Sequence, residues 1–270
     1  YVAGQTVTVT TAPSSASYDF AGWVGGPVTV GRGGVAGGAV GTVVMDSPKA
    51  VTANFNVAYT VTTEPAGLSV LAEDWVFYTS AKTFGWAPGT THWFWVFSSP
   101  QTKAGESGTR YVFQRWSDGH LQQLHYLTAP QASTTYTAIF DKQYSLTAAS
   151  NPAAGGTVSS GGESWWNAGA TVTGLKATAS PGYQFTGWSG ASASTENPAP
   201  GIVMDGPKVL TANFGKLLGY TVTSVPSGRQ VVVDGGTYTT PQTFNWLPGT
   251  EHTIGVVTTP QAGATGTRYV

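Results

Sequence analysis

Met204-Asp205-Gly206-Pro207-Lys208-Val209-Leu210-Thr211-Ala212-Asn213-Phe214 is the stretch that decides how this chain is built. It stands earlier as Met45-Asp46-Ser47-Pro48-Lys49-Ala50-Val51-Thr52-Ala53-Asn54-Phe55. Working outward, Tyr18-Asp19-Phe20-Ala21-Gly22-Trp23 returns as Tyr183-Gln184-Phe185-Thr186-Gly187-Trp188. A second unit follows each of these. Thr83-Phe84-Gly85-Trp86-Ala87-Pro88-Gly89-Thr90-Thr91-His92 returns as Thr243-Phe244-Asn245-Trp246-Leu247-Pro248-Gly249-Thr250-Glu251-His252, and Gly108-Thr109-Arg110-Tyr111-Val112 as Gly266-Thr267-Arg268-Tyr269-Val270. The order is A-B-A-B, with a period of roughly 160 residues, and ordered matches of this length identify tandem duplication. The boundaries read as 1–56 (A), 57–142 (B), 143–216 (A) and 217–270 (B). The first A and the last B are incomplete by alignment. A window on a longer protein is the expected reason, ahead of a neighbouring chain that supplies the missing strands. The Gly-rich run from Gly31 to Gly41 is longer than its counterpart in the second A, which marks a surface loop.

Within each unit the local pattern is that of strands. Thr6-Val7-Thr8-Val9-Thr10, Tyr59-Thr60-Val61-Thr62, Thr135 to Phe140 and Tyr220-Thr221-Val222-Thr223 alternate with period 2 and are bounded by Gly and Pro. Pro88-Gly89, Ser117-Asp118-Gly119, Pro181-Gly182 and Asp234-Gly235-Gly236 punctuate them as turns. The best helical candidate, Leu121 to Leu127, is too short to stand alone. The expected fold is all-β: tandem small β-sandwich or β-grasp-like modules in an extended A-B-A-B array. The Gly-Trp pairs predict an indole packed across the backbone of each small core.

Composition removes several function classes. Charged residues are only 9% and the net charge is −1, so no basic footprint for nucleic acid and no polybasic membrane patch exists. Hydrophobic content of 40%, with ten Trp, argues for packed cores rather than disorder. Cys is absent, which leaves neither disulfides nor thiolate metal sites. No apolar run reaches the length of a membrane span.

The Gly182–Gly190 stretch, Met204-Asp205-Gly206 and Thr211-Ala212-Asn213-Phe214 together resemble the divergent internalin-type B repeats of bacterial surface proteins. The B units look like companions of those repeats through Trp86 to Gly89, Gly108 to Tyr111, Trp116 to Gly119 and Tyr136 to Phe140. The resemblance implies an extracellular or cell-surface array of β-rich modules without catalytic residues, serving as a stalk, adhesin, surface layer or filament.

A search for chemistry returns little. His92 and His252 occupy one position in the two B copies, beside a Pro-Gly turn, and read as turn or cap residues. His120 and His125 lack a third ligand close in sequence. No nucleophile elbow, metalloprotease, phosphate-loop or dinucleotide motif occurs. Lys49 and Asn54 recur as Lys208 and Asn213; an isopeptide crosslink between them would need a buried acid, and a strand-end Lys with a turn Asn is the simpler reading. The chain therefore reads as a non-enzyme with no cofactor and no metal.

One feature rises above the scaffold. Phe94 and Val96 align with Ile254 and Val256, apolar in both copies, which marks a core face. Trp93, Trp95 and Phe97 align with Thr253, Gly255 and Val257, and alternation places them together on the opposite face. Phe77 stands where the second copy has Thr237, and Trp75 lies in a turn one residue longer than Asp234-Gly235-Gly236. Exposed, these rings form an apolar patch that needs a cover. Three covers remain open: an adjacent module, another copy of the chain in a filament or layer, or a surface polysaccharide stacked on Trp. Among the functional readings, a self-associating extracellular structural protein comes first. An adhesin or carbohydrate-binding accessory module of a larger secreted protein is the alternative.

Overall fold

A computed structural model describes residues 2–11, 18–25, 28–30, 40–257, 261–263 and 265–269. Most of the run from Gly31 to Gly41 lies outside them. The described residues are nearly all strand and turn; their one helical element is a 3-10 turn at Ala153–Gly155, and no α-helix occurs among them. The segment considered for a helix is the strand Leu124–Thr128 instead. Its backbone pairs along Thr91–Trp95, and that pairing outweighs a weak local preference.

The chain divides into two compact units, Tyr1–Gln143 and Tyr144–Val270. In the first, Gln5–Thr10, Val40–Met45 and Val28–Val30 make a three-stranded antiparallel sheet. The long strand Thr52–Glu64 pairs antiparallel with Tyr18–Val24 along its first half. Its second half pairs antiparallel with Lys82–Trp86 on one edge and in parallel with Thr134–Ile139 on the other. A four-stranded sheet faces this one, in the order Leu124–Thr128, Thr91–Trp95, Val70–Ala72, Phe77–Tyr78.

The core of the first unit joins side chains of both sheets: Tyr59 and Tyr136 from one, Val70, Ala72, Phe94 and Leu127 from the other, with Trp116 and Val96 between. Alternation explains the selection, since each strand sends every second residue inward. Trp116, Tyr59 and Phe94 are completely buried, and such side chains contribute about 1.5–3 kcal/mol each by leaving water. Their polar tips are satisfied: Trp116 Nε1 donates to the Gln122 carbonyl at 3.1 Å, and the Tyr59 hydroxyl to that of Pro130.

In the second unit, Lys208–Lys216 pairs antiparallel with Tyr183–Gly190 and in parallel with Leu146–Asn151. Leu146, Trp188, Met204, Leu210 and Phe214 form the core there. The Gly-Trp pair sits on a β-bulge in both copies, with Gly22 at φ 149° and Gly187 at φ 142°. Only Gly holds that backbone without strain, and the bulge aims the following indole. Trp188 is buried and its Nε1 donates to the Glu196 carbonyl at 2.8 Å; Trp23 is half-buried and its Nε1 has no partner among the described residues.

Farther along the second unit, Leu218–Val222 pairs with Gln242–Trp246, and Gln230–Val233 lies between Gly236–Thr239 and Ile254–Val256. Here one expectation fails. Phe94 and Val96 are completely buried, but their counterparts Ile254 and Val256 are 59% and 71% exposed. Phe94 packs against Phe84 and Trp86 on one side and Trp116 and Tyr136 on the other; the first pair returns as Phe244 and Trp246, whereas the described residues hold no second copy of the other pair. Val231 and Val233 remain buried, so the inner face of the sheet is only half covered.

Candidate functional site

The register of the four-stranded sheet fixes which side chains share its outer face. Trp95 stands opposite Leu124 on one neighbour and Leu71 on the other, Trp93 opposite Tyr126, and Leu71 opposite Phe77. Directly opposed residues point the same way, so these six lie on one face, away from Phe94 and Ala72. Ring contacts tie the set together. Trp75 meets Trp93 edge-on at 5.4 Å, Trp95 meets Phe97 at 4.7 Å, and Phe77 meets Phe97 at 5.9 Å. The structure thus brings Trp75, Phe77, Trp93, Trp95 and Phe97 into one aromatic face.

Sequence reasoning missed three members. Leu71 is buried, yet it is on the outer face, beneath the aromatic cluster. Tyr126 and Leu124 join from the strand considered for a helix. The face is open: Trp75 is 73% exposed, Tyr126 63%, Phe97 55% and Phe77 54%. In the second copy the matching positions Thr253, Gly255, Val257 and Thr237 carry no ring.

The turn that carries Trp75 is built with unusual care. The Ala72 carbonyl accepts the Trp75 N–H at 2.9 Å, and the Ala72 N–H donates to the Val76 carbonyl at 3.1 Å, enclosing a three-residue loop. Such loops end on a left-handed residue, usually Gly. Here that residue is Trp75, at φ 62°, where a bulky side chain costs roughly 1–2 kcal/mol. Its supports are polar. Asp74 accepts the Val76 N–H at 3.2 Å and the Tyr78 hydroxyl at 2.5 Å. The Glu73 carboxylate lies 2.9 Å from His92 Nδ1.

His92 completes a clamp present in both B modules. Its ring lies flat on Trp86, with centroids 3.8 Å apart, and Nε2 is 2.6 Å from Thr90 Oγ1. His252 repeats this on Trp246 at 3.9 Å, with Thr250 at 2.8 Å and Asp234 at 2.7 Å. The hydrogen bond from His252 holds the Asp234 carboxyl below its ordinary pKa, helped by the Thr253 N–H. A Thr–His–carboxylate line has the outline of an activated nucleophile. The hydroxyl proton, however, goes to a backbone carbonyl of its own turn, at 2.6 Å in the first copy and 2.7 Å in the second. That proton is therefore not held for transfer to Nε2, as a hydroxyl served by a general base would require. The arrangement locks the Pro-Gly turn against the hairpin end.

The other residues weighed for chemistry are engaged elsewhere. His120 and His125 stack at 4.4 Å, with His125 Nε2 on Asp118 at 2.7 Å and His120 Nε2 3.1 Å from the Leu124 carbonyl. Parallel rings do not converge their nitrogens on one ion. No group of three or more His, Cys, Asp or Glu able to hold a metal occurs among the described residues. Lys49 pairs with Asp46 at 2.6 Å and Lys208 with Asp205 at 2.5 Å, which holds both carboxyls below the usual aspartate value. Asn213 donates its amide to Ser189 at 3.0 Å.

No helix among the described residues is long and apolar enough to cross a membrane. No curated protein and no solved structure matches the chain significantly. A family model described as the divergent InlB B-repeat domain matches residues 1–58 and 146–217, together just under half of the sequence. Those two stretches carry the Gly-Trp bulge and the Thr-Ala-Asn-Phe strand in both copies. Over them, this all-β chain is similar to the divergent InlB B-repeat family of bacterial repeat domains.

Proposed function

We propose that this chain is a structural segment of a bacterial surface or secreted repeat protein, built from four alternating modules, and that it self-associates through the outer face of its first B module. It performs no catalysis in this reading. The observation that carries it is the contiguous aromatic face around Trp93 and Trp95, open on one copy of the module and absent from the other. At the 150–250 Å² that an aromatic side chain buries, the face offers on the order of 600 Å², close to the roughly 800 Å² per partner of a stable interface. A net charge of −1 sets little repulsion against pairing of like chains.

The test converts the face to its counterpart. Trp93→Thr with Trp95→Gly installs the residues of the second copy, and sedimentation reads the assembly state. A folded variant that stays monomeric where the native chain associates supports the reading. Association unchanged by the double substitution overturns it.

Stacking of a surface polysaccharide is the second reading. It is favoured by the Trp75 indole, which offers an open apolar ring with an N–H donor. Retention of a monomeric native chain on an immobilised glycan, lost in the double variant, would move the assignment there.

A further inference from the structure

We propose that Trp75 is the anchor of that interface: a left-handed backbone holds its indole rigid and exposed, ready to seat against the same face of a second copy. The inference rests on self-association through the aromatic face and adds which residue dominates it.

Three observations converge on this residue. First, its loop type asks for Gly in the left-handed position, and the sister module makes the equivalent reversal with Asp234 and Gly235, at φ 48° and 80°. A Trp there works against local stability, and strain of this kind accumulates where a site needs it. Second, the ring is the most exposed of the cluster and touches Trp93 only edge-on, so most of its area remains for a partner. Third, the loop is braced on both sides, by Asp74 on Tyr78 and by Glu73 on His92. A side chain fixed before binding loses little freedom on binding, which is how a rigid aromatic becomes a hot spot.

The same bracing favours a second copy as the occupant. Both acids of the loop already have partners, so pairing two such faces does not set unengaged carboxylates against each other. A face that pairs with its own copy also brings the anchor into the interface twice, once from each chain.

Trp75→Gly and Trp75→Asn in the full chain test the proposal, since both residues accept a left-handed backbone. Thermal unfolding, read at a concentration far below the native dissociation constant so that self-association adds nothing to Tm, is set beside sedimentation equilibrium. The expected result is a Tm equal to or above that of the native chain, with a dissociation constant weakened at least about thirtyfold, the loss of one hot-spot side chain. Dissociation within about threefold of native overturns the anchor assignment; if Trp93→Thr with Trp95→Gly still abolishes association, the interface itself stands. A clear fall in Tm in both variants overturns it as well, because the indole would then be serving the fold. A native chain that stays monomeric at millimolar concentration, or binds only a glycan through Trp75, removes both the anchor and the interface.

Discussion

The two B modules share their Pro-Gly turn, their Trp–His stack and the threonine and carboxylate that grip the imidazole, yet they differ on both faces of one sheet. In the first, the inner face is sealed around Phe94 and the outer face is covered with rings. In the second, Ile254 and Val256 are exposed where the described residues hold no match for 113–140, and the outer face carries Thr and Gly. The clamp is therefore independent of what either face does. Core packing and the aromatic surface lie on opposite sides of the same strands, and the duplicated module makes the separation visible.

Four measurements test that contrast. Phe94→Ala removes a completely buried ring and is expected to cost about 3–5 kcal/mol, while Ile254→Ala, at an exposed site, costs under about 1 kcal/mol. Hydrogen exchange at Ala72 and Val233, which lie opposite these residues, reads each module separately. Equal costs would break the comparison. The same logic extends to the A modules. Trp188→Phe loses buried volume and the Glu196 hydrogen bond, about 2–3 kcal/mol, whereas Trp23→Phe, whose N–H has no partner among the described residues, should cost nearer 1 kcal/mol. Urea midpoints of the two variants decide it.

A shared feature should give equal effects. His92→Ala and His252→Ala each remove a stacked ring and a hydrogen bond, about 1 kcal/mol apiece, and calorimetry that finds one copy indifferent would separate the clamps. The smallest effect is acid dependence in the second clamp. A carboxyl whose pKa is depressed by folding stabilises above its unfolded pKa and loses that contribution as pH falls through its folded value. The Asp234 contribution is thus complete above about pH 5 and declines below about pH 4. Asp234→Asn is expected to flatten this acid limb, and an unchanged limb would mean that the His252 contact adds nothing.

The strands were legible because alternation and turn residues leave a local record, as in Thr6 to Thr10 or Tyr59 to Thr62. The outer position of Trp93, Trp95 and Phe97 was legible for a second reason: where two copies agree at Phe94 and disagree beside it, alternation separates the two faces. What stayed hidden was non-local. The parallel pairing of Thr134–Ile139 with Tyr59–Glu64 depends on chain reversals that no short motif encodes. Tyr126 and Leu124 escaped because their strand has no second copy to align, and Leu71 because a buried leucine carries no sign of which side buries it. The left-handed backbone of Trp75 escaped for the opposite reason: turn chemistry predicts Gly there, and the sequence departs from the rule. The exposure of Ile254 and Val256 was missed because an apolar residue records only the need for a cover.

The alternation of side chains across these strands has a consequence for how such a protein diversifies. When side chains alternate so strictly, changes to the outward letters of one strand leave the spelling of the core untouched. A tandem gene can then retain one copy unchanged while another acquires a different outer surface, with no renegotiation of folding between them. Duplication in this scaffold creates vacant surface on which new specificity is written, and the four outward positions from Thr253 to Val257 and at Thr237 are such a blank page.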